Sequence, residues 1–153
     1  MYPITIDSFS GTSLAVLLHH GCYHEIGPVF ERALTLATER GLAGKNAQGY
    51  GVYFDDPEKV PVAKLRSLAG VSVAPGAYLG GKLQRFEIPA GQYAILDYAG
   101  PAAGVIKAYQ WLFAEWLPAS GREPAAFPLF EQYLYDPRAR PEPLRARLFM
   151  LLK

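Results

Sequence analysis

Residues 130–137 read FEQYLYDP and place one carboxylate, Glu131, among aromatic and aliphatic side chains. An earlier stretch, residues 50–57, reads YGVYFDDP and repeats much of that phrase with glycine, Gly51, in place of the acid. A buried carboxylate without a partner is costly, so it tends to take up a proton or bind a cation. Aromatic neighbours add cation–π attraction of roughly 0.5–2 kcal/mol each. These residue types predict a ligand pocket suited to a delocalised or quaternary cation.

The spacing of these residues predicts how they are presented. Glu131 and Tyr133 are two apart, so on a strand their side chains project from the same face. Gly51 and Tyr53 hold the matching positions in the earlier stretch. If the two stretches pack side by side, both pairs face one cleft. Two alternatives stay open: Glu131 lies on an exposed face, or it pairs with an arginine such as Arg85.

The same residues also suit a hydrolytic reaction. A carboxylate in apolar surroundings has its pKa raised toward working pH, which suits a general base. Under this reading Glu131 activates water while Tyr133 or Tyr53 donates a hydrogen bond. The residues themselves do not separate binding from turnover.

Three further aromatic residues are candidates for the pocket wall. Tyr23 opens the first predicted helix and is placed to lean over the cleft. Trp111 lies off the apolar stripe of the second predicted helix, which is typical of a pocket lip or a partner surface. Trp116 lies on that stripe, where core packing and a secondary pocket role are both compatible with the pattern. Packing roles remain open for all three.

Other kinds of chemistry have weaker support. His20 and His24 would have to share a helical face to bind a metal, but Gly21 and Cys22 between them mark a strand-to-helix turn. Cys22 with His24 lacks an orienting acid apart from Glu25. The glycine pairs at residues 49–51 and 80–82 do not precede a helix and so do not form phosphate loops. We therefore predict no metal and no cofactor.

Composition limits the class of protein. The 153 residues fit one domain, residues 1–153, and the 15 basic and 14 acidic residues nearly cancel. No basic footprint for nucleic acid is apparent. The single cysteine excludes an internal disulfide, and no signal peptide or membrane-spanning run is apparent, so we expect a cytoplasmic protein.

The chain contains its own pattern twice. Gly21 and Gly100 each precede an apolar helical pattern and are 79 positions apart, while the Asp-Pro pairs at residues 56–57 and 136–137 are 80 apart. Two landmarks with nearly equal separation predict an internal duplication, with one copy over about residues 1–79 and the other over about 80–153.

Each predicted copy consists of the same four elements. A branched and aromatic run stops at glycine, over residues 13–20 and 92–99, and is predicted as a strand. A helix follows, and then two more strands, over residues 48–54 and 70–74 in the first copy and 128–135 and 146–152 in the second. The predicted fold is α+β, with two strand-helix-strand-strand modules about a pseudo-twofold axis, a mainly antiparallel sheet, two long helices and a central cleft.

Several segments in this order resemble the GyrI-like small-molecule-binding domain: HHGCYHEIG, GVYFDDP, IPAGQYAILDYAGP, AYQWLFAEWLPASGREP and FEQYLYDP. That domain is the effector-binding half of many AraC-type transcription regulators and multidrug-sensing activators, and occurs alone in the DNA gyrase inhibitor protein. The resemblance covers essentially the whole chain. Two positions depart from the usual pattern: Cys22, where proline is more common, and Ala102, where the second copy lacks the tyrosine.

The resemblance implies two SHS2 modules around a pocket for amphipathic or cationic aromatic molecules, with Glu131 at its base. Tyr133, Tyr53, Trp111, Trp116 and Tyr23, identified above from their residue types and spacing, are the candidate ligand contacts around it. Some stand-alone proteins of similar motif hydrolyse cyclopropane-bearing toxins, which would make Glu131, Tyr133 and Tyr53 catalytic. The implied protein partners are gyrase or a fused DNA-binding domain, with no direct contact to nucleic acid or membrane by this chain.

Overall fold

A computed structural model describes residues 2–44, 46–134 and 143–153 and shows one sheet of eight strands, all paired antiparallel. The Asp136-Pro137 landmark lies outside the described residues. The strands are β1 Ile4–Phe9, β2 Thr12–His20, β3 Gly49–Tyr53, β4 Arg66–Val73, β5 Gln84–Ile88, β6 Gly91–Gly100, β7 Leu129–Tyr133 and β8 Leu144–Leu151. The predicted α+β class and antiparallel sheet are confirmed.

The strand order shows how the two halves join. It runs β1-β6-β8-β7-β3-β4-β2-β5, so β3 and β7 meet at the centre. The strands β1 and β5 precede the predicted modules, and each pairs with the other half of the chain, β1 with β6 and β5 with β2. Neither strand belongs to the four elements predicted for each copy. The exchange of first strands ties the halves together at both edges of the sheet.

Helices cover one face of the sheet. The first, α1 (Ile26–Glu39), follows a 3-10 turn at Tyr23–Glu25 and buries Ile26, Phe30, Ala33 and Ala37. In the second half, a 3-10 turn at Ala102–Gly104 leads into α2 (Val105–Trp111), a π-helical turn (Leu112–Trp116) and α3 (Leu117–Ser120). Pro28 lies in the first turn of α1, where its missing N–H costs least.

The π-helical turn explains why the two sequence landmarks differ by one position. Before the helices, Gly21 and Gly100 are 79 positions apart, while after them Gly41 and Gly121, both with φ of 70°, are 80 apart. The second helical segment therefore contains one more residue than the first. A π turn closes i to i+5 instead of i to i+4 and so absorbs one residue without ending the helix. These correspondences support the proposed duplication into residues 1–79 and 80–153.

Both faces of the sheet are packed. The helix-covered face buries small and aliphatic side chains of β2, β4, β6 and β8 under α1 and α2. The opposite face holds a cluster of rings in which Phe130 stacks on Phe149, with centroids 4.6 Å apart. Phe9 of β1 lies 6.2 Å from Phe130 of β7, although three strand spacings of a flat sheet would separate those strands by about 14 Å. The sheet therefore curls around this second cluster.

Candidate functional site

The centre of the sheet places the acid directly opposite the glycine. In the β3–β7 ladder Gly51 pairs with Glu131, with Tyr50 opposite Gln132 and Val52 opposite Phe130. Directly paired residues project to the same face of a sheet. Gly51, Glu131 and the tyrosines two positions beyond each therefore share the helix-covered face.

Three tyrosine hydroxyls surround the Glu131 carboxyl. Glu131 is only 5% exposed, and the hydroxyl of Tyr109, on α2, donates to its Oε2 at 2.8 Å. The hydroxyls of Tyr53 and Tyr133 lie 3.1 Å apart and hydrogen-bond each other. Each of these two hydroxyls also hydrogen-bonds to the Glu131 carboxyl. Each half contributes a tyrosine from its central strand, and α2 contributes the third.

Burial and hydrogen bonding act on the acid in opposite directions. Loss of solvent raises the pKa of Glu131 from 4.5 to about 7, although hydrogen bonds from Tyr109, Tyr133 and Tyr53 lower it. Burial and the neighbouring Glu131 charge both raise the pKa of Tyr53 and of Tyr109 well above 10.0, so their hydroxyls remain donors. Near neutral pH, Glu131 is therefore close to evenly divided between its protonated and ionised forms.

Gly51 provides the space that the tyrosine hydroxyls occupy. A Cβ at this position would lie 2.7 Å from the Tyr53 hydroxyl oxygen and 2.8 Å from that of Tyr133. Real Cβ atoms essentially never approach a neighbour so closely. Because β3 has glycine at the position where β7 has Glu131, both tyrosine hydroxyls fit beside the acid.

A second layer of rings holds the site tyrosines. Tyr23 packs edge-on against Tyr53, with centroids 4.9 Å apart, and Phe30 of α1 packs edge-on against Tyr133 at 5.9 Å. The Tyr23 hydroxyl donates to the Asp55 carbonyl at 2.8 Å and accepts from the Asp55 N–H at 3.0 Å. Asp55 in turn pairs with Arg66 at 2.9 Å. Tyr23 is therefore anchored in the first half.

Among the described residues, neither alternative for Glu131 holds. Its burial excludes the exposed-face reading. Arg85 instead lies 3.7 Å from Glu87 and donates to the Ala77 carbonyl. Among the described residues, no ion pair includes Glu131.

The structure places the two tryptophans outside the ring contacts of the three site tyrosines. Trp111 packs edge-on against Tyr2, with centroids 5.5 Å apart. Trp116, in the π-helical turn, is partly buried against the core of the helix-covered face. Their assignment as ligand contacts stays a prediction.

Sequence reasoning missed the role of Tyr109. Tyr109 lies on the apolar stripe of the second helix and, at the separation of 79 positions, corresponds to Phe30 of the first, so its pattern is that of a core residue. Both rings do face the sheet, and each meets a group of β7. The detectable signal was the hydroxyl that Tyr109 adds at a position where the other copy has phenylalanine.

Side chains occupy the predicted central cleft. The hydroxyls of Tyr53, Tyr109 and Tyr133 gather at the Glu131 carboxyl, and two open concavities of about 460 and 430 Å³ lie elsewhere on the surface. The Glu131 carboxyl is therefore buried beneath a cluster of tyrosine rings, of which Tyr53 and Tyr109 are themselves partly exposed.

The cysteine and histidine candidates show only local contacts. Nε2 of His19 donates to the Cys22 carbonyl at 3.0 Å, while the His24 side chain lies outside the described residues. Within residues 2–44, 46–134 and 143–153, no three histidine, cysteine or acidic side chains are grouped as metal ligands. In those same ranges, no helix is both long and apolar enough to span a bilayer.

Comparison with known proteins places the chain in a family. The sequence model described as "GyrI-like small molecule binding domain" matches residues 2–153. A DNA gyrase inhibitor of Yersinia enterocolitica is 36% identical over 124 residues, which cover 78% of each chain.

Two solved structures have the same fold. The crystal structure of the EcmrR C-terminal domain has a TM-score of 0.77 at 14% identity, covering 100% of this chain and 98% of that one. SAV2435 bound to tetraphenylphosphonium has a TM-score of 0.63 at 12% identity, covering 99% and 94%.

Replacing Gly51 by alanine should displace both tyrosines of the central strands. The new methyl group would occupy the space of the Tyr53 and Tyr133 hydroxyls, so we expect the free energy of unfolding to fall by about 1–3 kcal/mol. Urea denaturation measures this change. Gly44→Ala is the matched control, because no atom lies within 4 Å of its added Cβ. Equal stability of the two variants would contradict the close packing over Gly51.

The raised pKa of Glu131 predicts a specific pH dependence of stability. Below about pH 4.5 the carboxyl is protonated in both states; as pH rises to about 7, the unfolded chain ionises first and the folded state loses stability. The loss attributable to this group is roughly 3 kcal/mol. Urea denaturation from pH 4 to 8 should show it as a difference between the native protein and Glu131→Gln. Glu115→Gln, which removes an exposed carboxyl, should run parallel to the native protein.

Proposed function

The chain belongs to the family of GyrI-like small-molecule-binding domains, and we propose that it captures a hydrophobic cation, or a neutral amphipathic molecule, among the rings above Glu131. The observation that carries this proposal is the buried carboxyl on the central ladder, ringed by tyrosines and in no ion pair among the described residues. A buried acid in this state gains most from a cation that brings little hydration of its own.

Capture would proceed by exchanging partners at the carboxyl. In the free protein, the hydroxyls of Tyr109, Tyr53 and Tyr133 satisfy the acid. A cationic aromatic ligand inserts between the rings, takes the place of one or more hydroxyls, and leaves ring faces around its charge. The positive charge favours the ionised carboxylate, so binding releases a proton whenever Glu131 was protonated.

The proposed contacts fall into two layers. Glu131, Tyr133, Tyr53 and Tyr109 form the inner layer that meets the charge of the ligand, and Tyr23 supports Tyr53 from outside. We place Trp116 and Trp111 only at the outer wall of the site. The described contacts of Trp116 are with the core, and Trp111 packs against Tyr2.

A protein partner would recognise the chain when a ligand is bound at the Glu131 site. One relative bears the name DNA gyrase inhibitor, and EcmrR, whose C-terminal domain shares this fold, has also been solved in complex with DNA, where this chain covers 57% of the EcmrR chain. We propose gyrase or a DNA-binding domain as that partner. The sensing would then be of the multidrug type, in which ring stacking and one charge select the ligand.

Hydrolysis is the second candidate, and the pKa of Glu131 favours it. A carboxyl with a pKa of about 7 can accept a proton from water at neutral pH while a tyrosine hydroxyl supports the group that gains negative charge. In such a reaction water adds across the opened bond of a cyclopropane-bearing electrophile, its hydroxyl to the attacked carbon and its proton to the leaving carbon.

The affinity for tetraphenylphosphonium should rise with pH. With a pKa of about 7, the ionised fraction of Glu131 grows about tenfold between pH 6 and pH 8, so the dissociation constant should fall about tenfold. Isothermal titration calorimetry in two buffers of different ionisation enthalpy measures the affinity and the released proton together.

Two comparisons make that measurement decisive. The neutral compound triphenylphosphine oxide carries similar rings and should show no gain in affinity with pH. Glu131→Gln should bind tetraphenylphosphonium about tenfold more weakly at pH 8 and lose the pH dependence. Equal affinity and an equal pH profile in this variant would show that the Glu131 carboxylate does not contribute to binding.

Turnover has its own readout. If Glu131 acts as a base, incubation with a cyclopropane-bearing electrophile gives a product heavier by one water in mass spectrometry, and Glu131→Gln abolishes it. A compound that binds and is recovered unchanged would assign capture without hydrolysis.

A further inference from the structure

A groove of about 460 Å³ lies on the first half of the molecule, away from the tyrosine site. It runs between α1, the end of β2 and the segment that leads into β5, and none of its residues contributes to the Glu131 cluster. Its lining residues are Leu17, Leu18, Pro28, Val29, Arg32, Lys82 and Gln84.

The corresponding place in the second half is filled. At the spacing of 79 positions, Arg32 of α1 corresponds to Trp111 of α2, and Gly81 corresponds to Tyr2. The Tyr2 ring packs edge-on against Trp111 at 5.5 Å and also lies 6.3 Å from Tyr98. One half thus closes the space between helix and edge strand with two rings, while the other half has a guanidinium and a glycine there.

The backbone reinforces this difference. The ladder of β1 with β6 extends to Ile4 opposite Leu96, and beyond it the Asp97 N–H donates to the Pro3 carbonyl at 3.0 Å. The ladder of β5 with β2 stops one pair earlier, at Gln84 opposite Val16. Leu17 and Leu18 are therefore left beside the groove.

Two glycines turn the chain away from β2 before β5 begins. Gly80 and Gly81 have φ values of 61° and 58°, which side chains with a Cβ rarely adopt. A Cβ on Gly81 would also lie 2.3 Å from a guanidinium nitrogen of Arg40. This turn cannot carry its own aromatic side chain into the groove, so a ring must come from outside.

The charges of the groove indicate what else the occupant carries. Arg32 and Lys82 are exposed, and neither takes part in an ion pair among the described residues. Leu18 at the rim is 45% exposed. A guanidinium stacks on aromatic faces and pairs with carboxylates, and aromatic anchors with charged neighbours are typical of protein interfaces.

We propose that this groove docks an aromatic side chain, flanked by acidic residues, on an extended segment of a partner protein. The second half supplies the precedent, since the ring that fills its groove belongs to an extended segment, residues 2–3 ahead of β1. The apolar floor of Leu17 and Val29 receives the ring, and Arg32 with Lys82 receives the acids. The surface is separate from the tyrosine site, so a partner can bind while that site holds a ligand.

An NMR titration of the ¹⁵N-labelled protein tests the proposal, with the acetylated and amidated pentapeptide DDYDD as probe. We expect saturable shifts centred on the backbone amides of Leu17, Leu18, Val29 and Gln84. Replacing the peptide tyrosine by alanine, or its aspartates by asparagines, should weaken binding at least fivefold. Because the attraction is partly between exposed charges, raising the salt concentration should weaken it too.

Charge-reversed variants of the protein complete the test. Arg32→Glu and Lys82→Glu should each weaken the peptide at least fivefold, while Lys59→Glu, an exposed lysine outside the groove, should not. Both groove variants should keep the native affinity for tetraphenylphosphonium, which shows that they are folded.

Three outcomes would overturn the proposal. Shifts centred on other residues would remove the groove as the docking surface. Equal binding of the asparagine peptide would show that the acidic side chains do not contribute to recognition. Tighter binding of free 2-naphthoate than of the peptide at the same amides would make the occupant a small aromatic acid instead of a protein segment.

Discussion

The antiparallel ladder between β3 and β7 places Gly51 directly opposite Glu131, and the chemistry of the site depends on that pairing. The two positions are equivalent in the two halves, so both side chains would project into the same space. Two carboxylates there would lie about 5 Å apart and repel each other, and any Cβ at Gly51 meets the tyrosine hydroxyls. A single acid opposite a residue with no side chain resolves both problems. The site can therefore carry one charge, and only one half of the chain supplies it.

The two proposed binding sites arise from differences between equivalent positions. Tyr109 adds a hydroxyl where the first helix has Phe30, and that hydroxyl reaches the acid. Trp111 stands where the first helix has Arg32, and the same exchange leaves one flanking groove filled and the other open and basic. Among the described residues, a near-symmetric backbone thus presents a buried acid on its central ladder and a basic groove at its flank, the two places where we propose binding.

Much of the fold was readable from the sequence because it rests on local patterns. Alternation and glycine stops located β2, β3, β6 and β7 closely, and the separations of 79 and 80 indicated the paired halves. The separations differ by one because the second half has one additional residue, which the π-helical turn accommodates. The spacing alone does not predict where in the helix that residue lies. The exchange of β1 and β5 between halves is a long-range pairing, and short, partly exposed edge strands leave little periodicity to detect it.

The site was predicted less completely for a different reason. An isolated acid among rings identified Glu131, and position on the strand identified Tyr53 and Tyr133. Hydrophobic patterns treat tyrosine and phenylalanine alike, so the hydroxyl of Tyr109 appeared as core. The hydrogen bonds of the cluster could not be predicted either, because they depend on the relative orientation of three rings from three elements.

The hydroxyl cluster around Glu131 would allow the proposed site to accept ligands of different charge. Three hydroxyl donors oppose desolvation closely enough to hold the pKa of Glu131 at about 7. Fewer donors would leave the acid protonated and indifferent to cations, while a permanent cationic partner would hold it ionised and occupied. Hydroxyls are neutral and can turn away on their own torsions, so their loss costs less than separating an ion pair. A protonated carboxyl can meet a neutral amphipathic molecule by hydrogen bonding, and an ionised one can meet a hydrophobic cation by charge. With the pKa of Glu131 raised to about 7, both forms are accessible near neutral pH, so a ligand can select the form of the acid that it binds better.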